Sequence, residues 1–124
     1  MTEVNQENNQ ELIADFVDEA IDSLHSLPGH LAAFRQNPND ADAINAVFRP
    51  VHSIKGCAGF LGLTGIKVFS HSLENTLDEV RKQNLELTDD LQRLLVGGLD
   101  LLESRLQRSE KGDIDDELSD EECQ

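Results

Sequence analysis

Apolar residues in this chain return every three or four positions, segment after segment, and never alternate. That period lines one side of an α-helix and cannot line one face of a strand, so it restricts the chain to an all-α fold. Leu12, Ile13, Phe16, Val17, Ala20, Leu24 and Leu27 carry a first helix from Glu11, with Asp15, Asp18, Glu19 and Asp22 on its outer face. Pro28 and Gly29 interrupt it, yet Leu31, Ala32 and Phe34 resume the apolar face at once, which predicts a kinked or restarted helix.

Asn37, Pro38, Asn39 and Asp40 form a turn cluster, with Asp40 placed to cap a second helix. Ile44, Val47, Phe48, Val51, Ile54, Ala58 and Leu61 form its apolar stripe, and Pro50 predicts a local bend before His52. Gly62 to Gly65 break the pattern, so that Thr64 or a neighbour caps a third helix from about Ile66 to Lys82, with Ile66, Phe69, Leu73, Leu77 and Val80 inward. Asn84 ends that helix. Thr88 followed by Asp89 and Asp90 starts a fourth, carrying Leu91, Leu94, Leu95, Leu99, Leu102 and Leu106, with Gly97 and Gly98 a weak or closely packed point.

These helices, joined by short connections, predict an antiparallel up-and-down four-helix bundle over residues 11–109, flanked by a loose polar arm (1–10) and an acidic tail or linker (110–124) with room for a short fifth helix. A chain of 124 residues buries one core. Its net charge of −15, with ten basic residues scattered among 25 acids, argues against nucleic acid. No stretch is apolar for long enough to span a membrane and no secretory leader is evident, so the expected location is cytoplasmic. Two cysteines, Cys57 and Cys123, imply no disulfide framework, and Cys57 reads as a small core or interhelical residue. His25 and His30, beside the proline break, read as surface residues.

Function concentrates on the second and third helices. His52, Gly56 and Gly59 fall together on one flank, with Lys55 at the edge of the apolar stripe. A helix gains nothing in stability from those glycines, each of which costs about 1 kcal/mol against alanine, so their presence suggests close approach by something else. The next helix carries His71 and Glu74. A carboxylate that crosses to His52 would fix its tautomer and leave the other ring nitrogen as a nucleophile, and Lys55 would supply a cation for a phosphoryl group. Two other classes remain open on the residues alone: a helical adaptor, and a metal-binding bundle. Against the metal stand the single His-x-x-Glu, reversed from the usual Glu-x-x-His, and the adjacent lysine. A nucleotide-binding motif is absent, so the chain is not expected to be an enzyme by itself.

His52-Ser53-Ile54-Lys55-Gly56, the preceding Phe48-Arg49, the following Gly59-Phe60 and the later His71-x-x-Glu74 resemble a histidine phosphotransfer domain, in particular the amino-terminal type of the CheA chemotaxis kinases. The resemblance covers roughly residues 11 to 108. It implies that His52 is phosphorylated through Nε2, that Glu74 binds the other ring nitrogen with His71 in the same network, that Lys55 is the basic neighbour, and that Gly56 gives access to the ring. It further implies a partner kinase catalytic domain that uses ATP and Mg, no cofactor or metal in this chain, and an aspartate on a CheY-like response regulator as acceptor. That regulator is expected to dock over the second helix, where Gly56, Gly59 and an exposed Phe60 would form the binding face.

Overall fold

The expected helices all form in the computed structural model, which describes residues 6–110: α1 (Gln6–His25), α2 (Leu27–Gln36), α3 (Ala41–Leu61), α4 (Thr64–Arg81) and α5 (Asp89–Glu110). No strand occurs among the described residues. α1 begins five residues earlier than its apolar pattern, so Gln6–Gln10 extend the helix where a loose arm was expected. Gln and Glu are good helix formers, and adding residues to an anchored helix costs far less than starting one. The remainder of that arm, and the acidic stretch beyond Glu110 where a short fifth helix was allowed for, lie outside the described residues.

The proline break restarts the helix without turning the chain away. Ser26 keeps helical dihedrals (φ −89°, ψ −11°), and Pro28 falls in the first turn of α2, where its missing N–H has no helical partner to lose. Leu24, Leu27, Leu31 and Phe34 are buried on both sides of the junction, so one apolar stripe runs through it. Asp40 caps α3 by accepting from the backbone N–H of Asp42 and Ala43. α3 then runs through Pro50 and stops at Gly62, whose left-handed φ of +78° lets Leu63 N–H return to the Ala58 carbonyl at 2.8 Å.

The N-cap of α4 falls at the neighbour of Thr64, not at Thr64 itself. Thr64 sits inside α4, not before it, and the N-cap residue is Leu63, which has no side chain able to cap and is instead buried in the core. Thr88 does cap α5, its Oγ1 accepting from Leu91 N–H at 3.1 Å. α1 with α2, α3, α4 and α5 pack in a ring that α1 and α5 close. Cross-links run in opposite chain directions, His25 to Glu103 and Arg35 to Asp89, as antiparallel helices require. Val17, Leu31, Ile44, Val47, Val51, Ile66, Leu77, Val80, Leu102 and Leu106 fill the centre. Gly98 marks the close approach of α5 to α4: a Cβ there would lie 2.9 Å from Cδ2 of Leu73, whereas one on Gly97 would meet nothing.

Candidate functional site

The core decides which side chains α3 shows to α4. Val51 and Ile54 are buried, and His52 and Lys55, one residue later in each case, are turned about 100° around the helix. On α4, Leu73 and Leu77 enter the core, and Glu74 between them points across to α3.

There the Glu74 carboxylate joins both α3 residues. His52 Nδ1 donates to its Oε2, and Lys55 Nζ donates to its Oε1 at 2.6 Å. Glu74 is buried, its side chain 10% exposed, while Lys55 is half-buried and His52 is 59% exposed. Burial by itself pushes the Glu74 carboxyl up, but the hydrogen bonds from Lys55 and His52, with the charge of Lys55, outweigh it and hold the group below its ordinary value of 4.5. An ionised carboxylate only accepts, so the Nδ1 bond needs the proton on Nδ1. In the neutral ring that leaves the lone pair on Nε2, on the far side from Glu74, where no hydrogen bond holds it among the described residues. A lone pair fixed at an exposed atom is a nucleophile directed at solvent or at a partner.

The other sequence candidates divide. Lys55 spends one donor on Glu74, which leaves two for an incoming anion. Gly56 is exposed, and a Cβ there would meet nothing, so no contact within the fold requires the glycine. Gly59 is exposed too and lies against the aliphatic stem of Lys67, 3.4 Å from its Cδ. Phe60 is 87% exposed, two turns along α3 from His52. His71 is exposed and makes no hydrogen bond among the described residues, so it is not joined to the His52–Glu74–Lys55 network. Glu74 has already satisfied both α3 donors.

Cys57, expected as a small core or interhelical residue, lies between helices but is not buried, and its thiol is exposed. It precedes buried Ala58 and so faces about 100° away from the core stripe, lining an open groove between α1 and α3 with Phe16, Arg49 and Ser53. His25 is exposed as expected and bonds Glu103 at 3.2 Å. No three His, Cys, Asp or Glu side chains come together as a metal site among the described residues. No helix among the described residues is long and apolar enough to cross a membrane.

One part of the site went unread. Phe48, placed by its spacing in the apolar stripe, is only partly buried and lies parallel to the His52 ring, with centroids 5.9 Å apart and planes 12° apart. On Phe48 rests the Arg81 guanidinium, 3.9 Å from the ring centroid. The spacing of Phe48 and His52, one helical turn, could have signalled the first contact. Arg81 lies on another helix and has no such local signal.

Comparison with known proteins places the whole bundle in a family. The family model of the Hpt domain matches residues 11–118. The chemotaxis protein CheA of Salmonella typhimurium is 37% identical over 91 residues, which cover 73% of this chain and 14% of the relative's length. The chain therefore spans only about one-seventh of such relatives. Among solved structures, the CheA phosphotransferase domain from Thermotoga maritima superposes with a TM-score of 0.73 at 33% identity, covering 81% of this chain and 95% of that one. The phosphorylated P1 domain of CheA3 from R. sphaeroides, solved in complex with CheY6, has the same fold with a TM-score of 0.72 at 24% identity, covering 82% of this chain and 80% of that one.

Proposed function

The chain belongs to the Hpt domain family, and on that premise we propose that it is a phosphocarrier, with His52 as the residue that is phosphorylated. The observation that carries this reading is the bond from His52 Nδ1 to a buried, ionised Glu74, which leaves Nε2 as an exposed nucleophile. In the first step the Nε2 lone pair attacks the γ-phosphorus of ATP held with Mg by a partner kinase domain. The P–N bond forms as the bond to the β-phosphate oxygen breaks, and ADP leaves. Glu74 accepts the Nδ1 hydrogen bond throughout and stabilises the ring as it becomes positive, while Lys55 keeps Glu74 ionised and has donors left for the phosphoryl oxygens. In the second step an aspartate oxygen of a receiver domain attacks phosphorus, the P–N bond breaks, and its electron pair returns to Nε2.

The carrier chemistry needs no cofactor in this chain. Its partners are a histidine kinase catalytic domain and a CheY-like receiver, as in the chemotaxis relatives, and the proposed setting is the cytoplasm. Gly56 and Gly59 keep the approach to Nε2 low, and exposed Phe60 offers an apolar anchor for the receiver two turns away. His71, exposed beside this face, is positioned to meet a partner but not to hold the His52 ring.

The test is to incubate the chain with ATP and the catalytic domain of a CheA kinase, and to look for a phosphoryl group that is acid-labile and base-stable. It should be lost in His52→Gln and should pass to a CheY-like receiver. A wild-type chain that stays unlabelled with several such kinases refutes the reading. Phe60→Ser should weaken receiver transfer while leaving stability within about 0.5 kcal/mol, since the ring is exposed.

A further inference from the structure

His52 is held on its edge by Glu74 and on its face by Phe48. The two contacts restrain different motions. A bond at Nδ1 fixes one point of the imidazole, but the ring can still swing about that bond, carrying Nε2 with it. A parallel ring one turn away removes this freedom, because the swing would separate the stacked faces. Phe48 in turn carries the Arg81 guanidinium over its ring, and that guanidinium is not loose: it donates to Asp78 Oδ1 at 2.6 Å and to Asn45 Oδ1 at 3.4 Å. The chain of contacts therefore runs from Asp78 through Arg81 and Phe48 to the face of His52.

We propose that Phe48 and Arg81 are positioning residues for His52: Phe48 sets the plane of the imidazole so that Nε2 keeps its outward aim, and Arg81 braces Phe48. The proposal rests on His52 as the nucleophile and adds to it the device that orients the ring. A cation 3.9 Å over the Phe48 centroid is attracted to the face of that ring and so holds Phe48 in place. Neither side chain touches the transferred group, so both act through the orientation of His52 alone.

Inorganic phosphoramidate tests this without any partner protein. Nε2 attacks its phosphorus, the P–N bond to the already protonated nitrogen breaks, and neutral ammonia leaves. Labelling is read at His52 by peptide mass, with His25 and His30 in the same molecule as internal standards. Phe48→Leu is expected to slow His52 labelling about twofold to tenfold, the range of an aromatic pair's coupling, and Phe48→Tyr to restore it. Arg81→Met is expected to slow it about twofold to fivefold. The double variant should be no slower than Phe48→Leu, because Arg81 acts through Phe48.

Nitrogen-15 spectra of the His52 ring give a second readout that needs no phosphoryl donor. Phe48→Leu should draw the two ring-nitrogen shifts together, because a ring free to swing meets Glu74 at poorer angles and holds the Nδ1 tautomer less completely. Ile44→Val, which removes a core methyl from the same helix, should lower the melting temperature and leave those shifts unchanged. Unchanged labelling and unchanged shifts in Phe48→Leu overturn the proposal, as does an Arg81→Met effect of full size in the Phe48→Leu background. If kinase domains fail to label a wild-type chain whose nitrogen shifts respond to Phe48→Leu, the carrier reading falls and the positioning stack stands.

Discussion

Glu74 is the residue on which the site depends, and replacing it separates what its charge does from what its shape does. The carboxylate takes two hydrogen bonds from α3, one to each oxygen. Each is charge-assisted and worth about 1.5–3 kcal/mol net. If the whole of the His52 bond is felt in the transition state, Glu74→Ala lowers the phosphorylation rate about 10- to 150-fold. Glu74→Gln keeps one acceptor oxygen but presents an amide N–H₂ to the Lys55 ammonium or to His52. A neutral acceptor gives roughly half the strength of a charged one, so the loss is about 3- to 10-fold. Stability follows pH with a definite sign. The folded-state carboxyl is held below the ordinary value of 4.5, so its contribution is complete above that value and disappears as pH falls through the lowered one. Urea melts from neutral pH down to about pH 3 should show a steeper acid loss for the wild type than for Glu74→Gln. The assay is initial-rate labelling by a kinase domain, with circular dichroism to confirm helicity. A helical Glu74→Ala chain labelled within about twofold of wild type refutes the reasoning, because a bond worth even 0.5 kcal/mol would exceed that change.

Four further substitutions use the space around particular residues. Gly97→Ala should raise stability by about 0.5–1 kcal/mol in a urea melt, while Gly98→Ala should gain less or lose, since its Cβ must displace Leu73. Gly56→Ala has open space and should also stabilise by about 0.5–1 kcal/mol, but it should slow transfer to a receiver by raising the surface next to Nε2; faster transfer would show that the glycine serves no access role. The Ser70 hydroxyl is fully buried without a partner among the described residues, so Ser70→Ala should stabilise by about 1 kcal/mol, and a melt showing destabilisation would mean the hydroxyl is satisfied in solution.

Most of what could be read in advance was what one helix encodes by itself; the crossing of Glu74 to His52, expected from the adjacency of consecutive antiparallel helices, was the exception. The buried stripe of α3, the Asp40 cap and the Thr88 cap follow from spacing and side-chain chemistry within a few residues, and all three form. For Cys57 only the core alternative failed, because its chemistry suggests burial while its register, one residue before Ala58, turns it outward. The start of α1 was set too late because an apolar count detects where burial begins, not where the backbone first becomes helical. Arg81 went unread for a different reason, since its partner lies on another helix and no local pattern joins them. The register that joins them is nevertheless simple. Asn45, His52 and Gly59 on α3 step by seven, and their partners Arg81, Glu74 and Lys67 on α4 step back by seven. Seven residues return a side chain to nearly the same face, so antiparallel helices that keep one such contact keep the others. Pairing His52 with Glu74 therefore already commits α3 and α4 to bringing Arg81 beside Asn45, within reach of the ring one turn before His52. The nucleophile's carboxylate and the brace on its stacked ring are two readings of one interhelical register, so an insertion of a single residue in α4 between Glu74 and Arg81 should uncouple them, keeping the bond to Glu74 while removing Arg81 from Phe48.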